Sequence, residues 1–205
     1  MSVKYGLPKE VIFCKKCVQS NQRPGTSPEF KKQNLIVPTA EFGEDGICLT
    51  CKYFEKKKKI DWIEREKQLR DLLDKHRRKD GRFDVIVPGS GGKDSIYVAH
   101  LLKYKYEMNP LTVTWAPHIY TDIGKQNFYN WLNAGFDNIL LTPNPRVHKI
   151  LTKKAFLNLL NPFQPFIIGQ KNAAPRIALQ YDVPLIMYGE NQAESHVTSE
   201  DDLTN

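Results

Sequence analysis

Long hydrophobic runs are missing from this sequence. None of its apolar stretches approaches the roughly 20 residues a membrane-spanning helix requires, and the start, MSVKYGLPKE, has no apolar h-region of a signal peptide. A cytoplasmic protein without a membrane partner is the expectation. Acidic residues are also short: 30 Lys and Arg face 23 Asp and Glu, for a formal charge of +7, and no Lys or Arg follows Arg176. That excess admits a nucleic acid, a nucleotide or another anionic substrate and does not choose between them. The densest runs, Lys56 to Lys59 and Arg77 to Lys79, have acids interspersed nearby and read as solvated helix surface. Cysteine is scarce, with four in 205 residues. A disulfide framework is not expected in a chain without a secretory signal.

The four cysteines fall as Cys14-x-x-Cys17 and Cys48-x-x-Cys51. Two such knuckles each present two sulfurs to one ion and together close a tetrahedron, the pattern of a structural zinc site. A catalytic zinc would need an open position that four thiolates do not leave, and a redox CxxC needs no twin. The surrounding segment is rich in Gly and Pro and poor in apolar residues, so it needs a metal staple in place of a core. The expected organisation is a zinc-binding four-cysteine module over 1–59, a linking helix over 60–82, a nucleotide-binding domain over 83–194 and a tail over 195–205. The tail, acidic and rich in Ser and Thr, has the composition of disorder, or it marks a truncated chain.

In the linking helix, Ile60, Ile63, Leu69, Leu72 and Leu73 recur at helical spacing, with Asp61 and Glu64 as first-turn acids and Gly81 as the stop. Thereafter strand and helix alternate. Phe83 to Pro88 and Pro110 to Trp115 read as strands around a helix that begins at Asp94 or Ser95. QNFYNWLNAG reads as a helix, DNILLTPN as a strand and RVHKILTKKAFLNLL as a helix. PFIIGQK reads as a short fourth strand with a turn, NAAPRIALQYD as a helix and VPLIMYGEN as a last strand. The pattern predicts an α/β fold: a Rossmann-like, doubly wound parallel sheet with ligands at the strands' carboxyl ends.

The polar cluster after the first strand, PGSGGKDS, invites a phosphate. It is not a Walker loop: counting back from Gly92-Lys93 reaches Val87, and Asp94 stands where Ser or Thr is needed. It is not a dinucleotide fingerprint either, because Asp94 replaces the third glycine. What remains is a small-residue turn entering a helix, with backbone amides, Ser90, Lys93 and Ser95 as donors and Asp94 suited to Mg2+ or to fixing the loop.

This SGGKDS stretch resembles the loop of the PP-loop ATP pyrophosphatase superfamily, whose members cleave ATP between the α and β phosphates. The resemblance implies that Gly89, Ser90, Gly91, Gly92, Lys93, Asp94 and Ser95 hold the departing pyrophosphate, with Lys93 and Asp94 in catalytic roles. TWAPHIYTDIGKQNFYNWLNAGFDNILLTPN, PFQPFIIGQKN and YGENQAE, with the cysteine knuckles, look like the N-acetyl sugar amidotransferases of that superfamily. Those enzymes serve surface-polysaccharide, lipopolysaccharide and nonulosonic acid synthesis. The resemblance implies ATP, Mg2+ and Zn2+ as cofactors, an N-acetyl sugar as substrate, free or nucleotide-linked, and ammonia from a class I glutaminase, often with a cyclase-like companion. It places adenosine at Val113, Thr114 and Trp115 and the nucleotide near Gly169 and Lys171. Gly189, Glu190, Asn191 and Glu194 would face pyrophosphate and Mg2+, although YGENQAE departs from the related GHNxDD. His118 could contact substrate, whereas Trp131 and the other histidines, His148 among them, read as structural. The alternatives are a PP-loop tRNA-thiolating enzyme and a nucleotide-binding domain without turnover.

Overall fold

The computed structural model describes residues 7–22 and 39–190. The chain divides into two compact units at Arg65 and Glu66. The described residues of the first form two short turns ahead of a helix. One pairs Phe13 with Ser20 and the other Phe42 with Cys48. Asn21 closes the first turn, accepting from the Ile12 amide at 3.0 Å and donating to the Glu10 carbonyl at 2.9 Å. Helix α1, Leu49–Lys57, starts at Cys48 and carries Cys51 in its first turn. Helix α2, Trp62–His76, is capped by Asp61, whose carboxylate accepts from the Ile63 and Glu64 amides at 3.0 and 3.1 Å. Asp61 is thus a cap outside the helix, which ends at His76, before Gly81. The φ of +79° at Gly81 serves the turn into the first strand.

The second unit holds a parallel sheet in the order β1-β2-β3, with β1 Val85–Pro88, β2 Pro110–Trp115 and β3 Asp137–Leu141. The expected last strand is present as a short parallel ladder on the free side of β1. The Ile86 amide donates to the Leu185 carbonyl, and the Met187 amide to that of Ile86, both at 2.9 Å. Helix α3, Lys93–His100, continues as a π-helical turn over Leu101–Lys105 and packs with α4, Asp122–Asn133, on one face. Helix α6, Gln164–Tyr181, covers the other face, and α5, Pro145–Leu159, packs on α6. The chain steps from β1 to β2 to β3 with its helices on one side, then returns past β1 with them on the other. That reversal is the layout of a doubly wound sheet.

Side-chain alternation builds both cores. Val85 and Val87 join Ala99, Leu102, Trp131 and Leu73 of α2 on the α3 side, while Ile86, Leu111 and Val113 meet Ala173, Ala174 and Ile177 of α6. Of the apolar stripe expected on α2, Leu73 is buried and Leu69 partly so, but Ile63 is 85% exposed. Trp131 is fully buried, as its structural reading requires.

The fourth strand expected at PFIIGQK does not form. Those residues are the first turns of α6, with Pro165 at its start. A short apolar run suits a strand or a buried helix equally by periodicity. Pro165 favours helix initiation, and Ala173, Ala174, Ile177 and Ala178 downstream supply one continuous buried face. Gly169 and Lys171 therefore lie inside a helix, where a turn was expected.

Candidate functional site

The four cysteine sulfurs all lie within 4.8 Å of one another. Cys17 and Cys48 are 3.7 Å apart, Sγ to Sγ, close to the edge of about 3.8 Å of a tetrahedron with Zn–S bonds of about 2.3 Å. Backbone amides point at the sulfurs: Lys16 and Cys48 donate to Cys14, each at 3.3 Å, and Gln19 to Cys17 at 3.4 Å. Burial opposes ionisation of Cys14, but the amide hydrogen bonds from Cys48 and Lys16 outweigh it and pull its pKa down to about 6. Burial, with the neighbouring thiols of Cys17 and Cys48, pushes Cys51 up to about 12. Without a metal, Cys14 is thus the readier thiolate and burial holds Cys48 and Cys51 as thiols, a balance that a bound dication would shift toward thiolates. The donor set and its spacing fit zinc held for structure. Glu55 ties α1 to the first knuckle by an ion pair to Lys16 and pairs at 3.0 Å with Lys58 at the end of its own helix, and Lys16 first, then Lys58, draws its pKa down to about 2.

In the second unit the chain leaves β1 at Pro88 and turns into α3 through Gly89, Ser90, Gly91 and Gly92. Gly91 has φ +91°, and a Cβ there would stand 2.5 Å from the Asn127 carbonyl oxygen of α4, so the loop lies on that helix only because position 91 has no side chain. A Cβ on Gly89 would collide with Ser95, at 2.5 Å from its Cβ. Gly92 is the N-cap of α3, and among the described residues nothing fills the space it faces and no side chain caps the helix. The first-turn amides are thus left to an external acceptor, with the positive end of the helix behind them.

Ser95 donates its hydroxyl to the Gly92 carbonyl at 3.1 Å, which braces the turn from within. Lys93 and Asp94 pair with each other at 2.7 Å, both exposed. Hydrogen bonding to Asp94 raises the Lys93 pKa, so the ammonium is retained. The ladder beyond Met187 delivers Tyr188, Gly189 and Glu190 to the same end of the sheet. A Cβ on Gly189 would stand 2.7 Å from the Ser95 amide nitrogen, so only glycine lets this segment seat against the start of α3. PGSGGKDS and YGE, nearly a hundred residues apart, meet where the direction of winding reverses, the place where such sheets bind ligands. Asn191 and Glu194 lie outside the described residues.

At the end of β2, Val113 and Thr114 are buried, 1% and 0% exposed. The Val113 carbonyl accepts from the Gly89 amide at 2.9 Å. The Thr114 hydroxyl accepts from Asn138 of β3 at 3.1 Å. An adenosine contact there would fall to main-chain atoms or to Trp115. The Trp115 ring lies over Gly169, where a Cβ would stand 2.3 Å from it. The indole thus brings Gly169 to this end of the sheet, while Lys171 is exposed two residues further along α6.

The sequence does not foresee what surrounds Trp115. His148 of α5 is 9% exposed and meets the Trp115 ring edge-on at 6.5 Å, and His118 stacks on His148 at 4.5 Å. Phe166 and Phe163 flank His118 at 5.5 and 6.2 Å. Burial, then the nearby His148, lowers the His118 pKa. No linear pattern announces this group, because it is assembled from two loops and two helices.

No protein-family model matches the chain. An uncharacterised protein of Methanocaldococcus jannaschii is 36% identical over 74 residues, which are 33% of this chain and 24% of that one. The chain thus matches about a quarter of the length of that curated relative. Among solved structures, NMN synthetase from Francisella tularensis superposes with a TM-score of 0.48 and 16% identity, covering 66% of this chain and 57% of that one. A likeness at that level carries no functional weight. Among the described residues no helix is long and apolar enough to cross a membrane.

Proposed function

We propose that the chain is a PP-loop ATP pyrophosphatase acting as an amidotransferase on an N-acetyl sugar. The observation that carries the reading is the uncapped turn at Gly89 to Asp94, seated at the sheet's winding reversal and touched by Gly189. An amide is a weak nucleophile and a weak electrophile, so the site has to hold phosphate charge in place and supplies no covalent nucleophile. The acetamido oxygen attacks the α-phosphorus of ATP, the α–β phosphoanhydride breaks and pyrophosphate leaves. Ammonia then adds to the resulting imidate carbon, gives up a proton to solvent and expels AMP, leaving an acetamidino group.

In this scheme the amides of the first turn of α3, with Lys93, receive the pyrophosphate. Ser95 keeps the turn closed, and Ser90 and Gly92 stay open to the ligand. Asp94 and Glu190 are the residues that would hold Mg2+, which neutralises phosphate charge when bound. Zinc on Cys14, Cys17, Cys48 and Cys51 serves structure. A class I glutaminase, with a cyclase-like companion, supplies ammonia.

The test is to incubate the chain with ATP, Mg2+, ammonium and a panel of acetamido sugars, with bulk tRNA as the contrasting substrate. AMP and pyrophosphate release that depends on an acetamido sugar is expected. Release dependent on tRNA, or ADP formation under any condition, contradicts the proposal.

A further inference from the structure

At Trp115 and His148 two buried polar atoms, Trp115 Nε1 and His148 Nε2, lack a hydrogen-bond partner among the described residues, and a third, Thr152 Oγ1, lies one helical turn along α5 from His148. Leaving a buried polar group unpaired costs about 1–3 kcal/mol, and such groups call for an explanation. His148 and Thr152 are four residues apart on α5 and so share one face of that helix. The Trp115 ring edge meets His148, which brings the indole beside that face. Their chemistry differs in a useful way. An indole N–H only donates, a hydroxyl donates or accepts, and a neutral imidazole nitrogen accepts where its proton sits on the other nitrogen.

A ligand that satisfies all three needs an acceptor and a donor side by side, which is what one secondary amide presents. Around these atoms stand rings. His118 stacks on His148 and is flanked by Phe163 and Phe166, a wall suited to a methyl group or to the C–H face of a sugar ring. The cluster lies at the carboxyl end of β2, the strand whose Val113 carbonyl receives the Gly89 amide of the phosphate loop. It faces the α6 side of the sheet, opposite the helix that the loop enters.

We propose that Trp115, His148 and Thr152 form the polar floor of an acceptor subsite that holds the acetamido group of a sugar, with His118, Phe163 and Phe166 as its wall. The inference deepens the amidotransferase reading and rests on it for the sugar. The amide oxygen takes the indole N–H and the hydroxyl, and the amide N–H goes to His148.

Saturation-transfer NMR on the full chain, without ATP or ammonia and with N-acetylglucosamine and N-acetylgalactosamine as probes, tests it. The acetyl methyl of at least one sugar should receive saturation, and glucosamine none. Trp115→Phe keeps a ring and loses the donor, and Thr152→Val keeps the shape and loses the hydroxyl. Both atoms are unpartnered among the described residues, so Thr152→Val should fold with unchanged or raised thermal stability, whereas Trp115→Phe also gives up the indole's packing over Gly169 and should melt lower while remaining folded. Each should bind the sugar about tenfold more weakly. Undiminished binding in both variants, silence with both sugars, or displacement by adenosine, which would make the group a nucleobase slot, overturns the subsite. Sugar binding without AMP formation would leave the subsite and sink the amidotransferase reading. AMP formation at an unchanged sugar KM in both variants would do the reverse.

Discussion

Asp94 sits in the first turn of α3, where a carboxylate suits the helix dipole but opposes a second anion at the same amides. A phosphate can share that turn only if the charge is offset, by Lys93 at 2.7 Å or by a cation. Asp94→Asn removes the charge and keeps the shape. It should lower AMP formation by on the order of 10²–10³-fold, with zinc content and melting temperature unchanged. Retained activity would mean that the loop has another role. Gly189 makes the complementary case, because a methyl there lands 2.7 Å from the Ser95 amide nitrogen, a backbone atom that cannot swing aside. Gly189→Ala should push the YGE segment off α3 and raise the KM for ATP about tenfold or more.

Elements were legible in the sequence where local chemistry decided them. The strand at Pro110–Trp115 and the helix entered through the glycine turn are where hydrophobic patterning and the small-residue loop put them. The cysteine spacing likewise announced the thiolate cluster. The strand expected at PFIIGQK was not legible, because Phe166, Ile167 and Ile168 suit either state. Buried alanines further along α6, packed on β2, decide for helix. Helix α1 was also missed, since its run of lysines hides the single buried Leu49 that anchors it. The His118 and His148 stack exists only through tertiary packing. On α2 the expected apolar stripe narrows to Leu69 and Leu73, so the sheet-facing role of this helix rests on Leu73, which is fully buried. Leu73→Ala should cost about 2–5 kcal/mol in urea unfolding, and Ile63→Ala, at an exposed position, less than about 0.5 kcal/mol.

At the scale of the molecule, the two units are built by different means: one gathers its described turns around four cysteines with few buried apolar residues among them, and the other is an α/β sheet with a core on each face. Stripping zinc with a strong chelator should therefore remove amide-exchange protection from residues 12–21 and 41–51 while β1, β2 and β3 keep theirs. Loss of protection in both sets together would show the zinc module to be integral to the sheet's stability. In the proposed reaction the acceptor's amide oxygen attacks ATP at its α-phosphorus. An acetamido sugar carrying 18O in its carbonyl, turned over with ATP and ammonia, tests it most directly. The prediction is one 18O in the phosphate of AMP and none in pyrophosphate; label in inorganic phosphate or retained in the sugar product, or ADP in place of AMP, would contradict it.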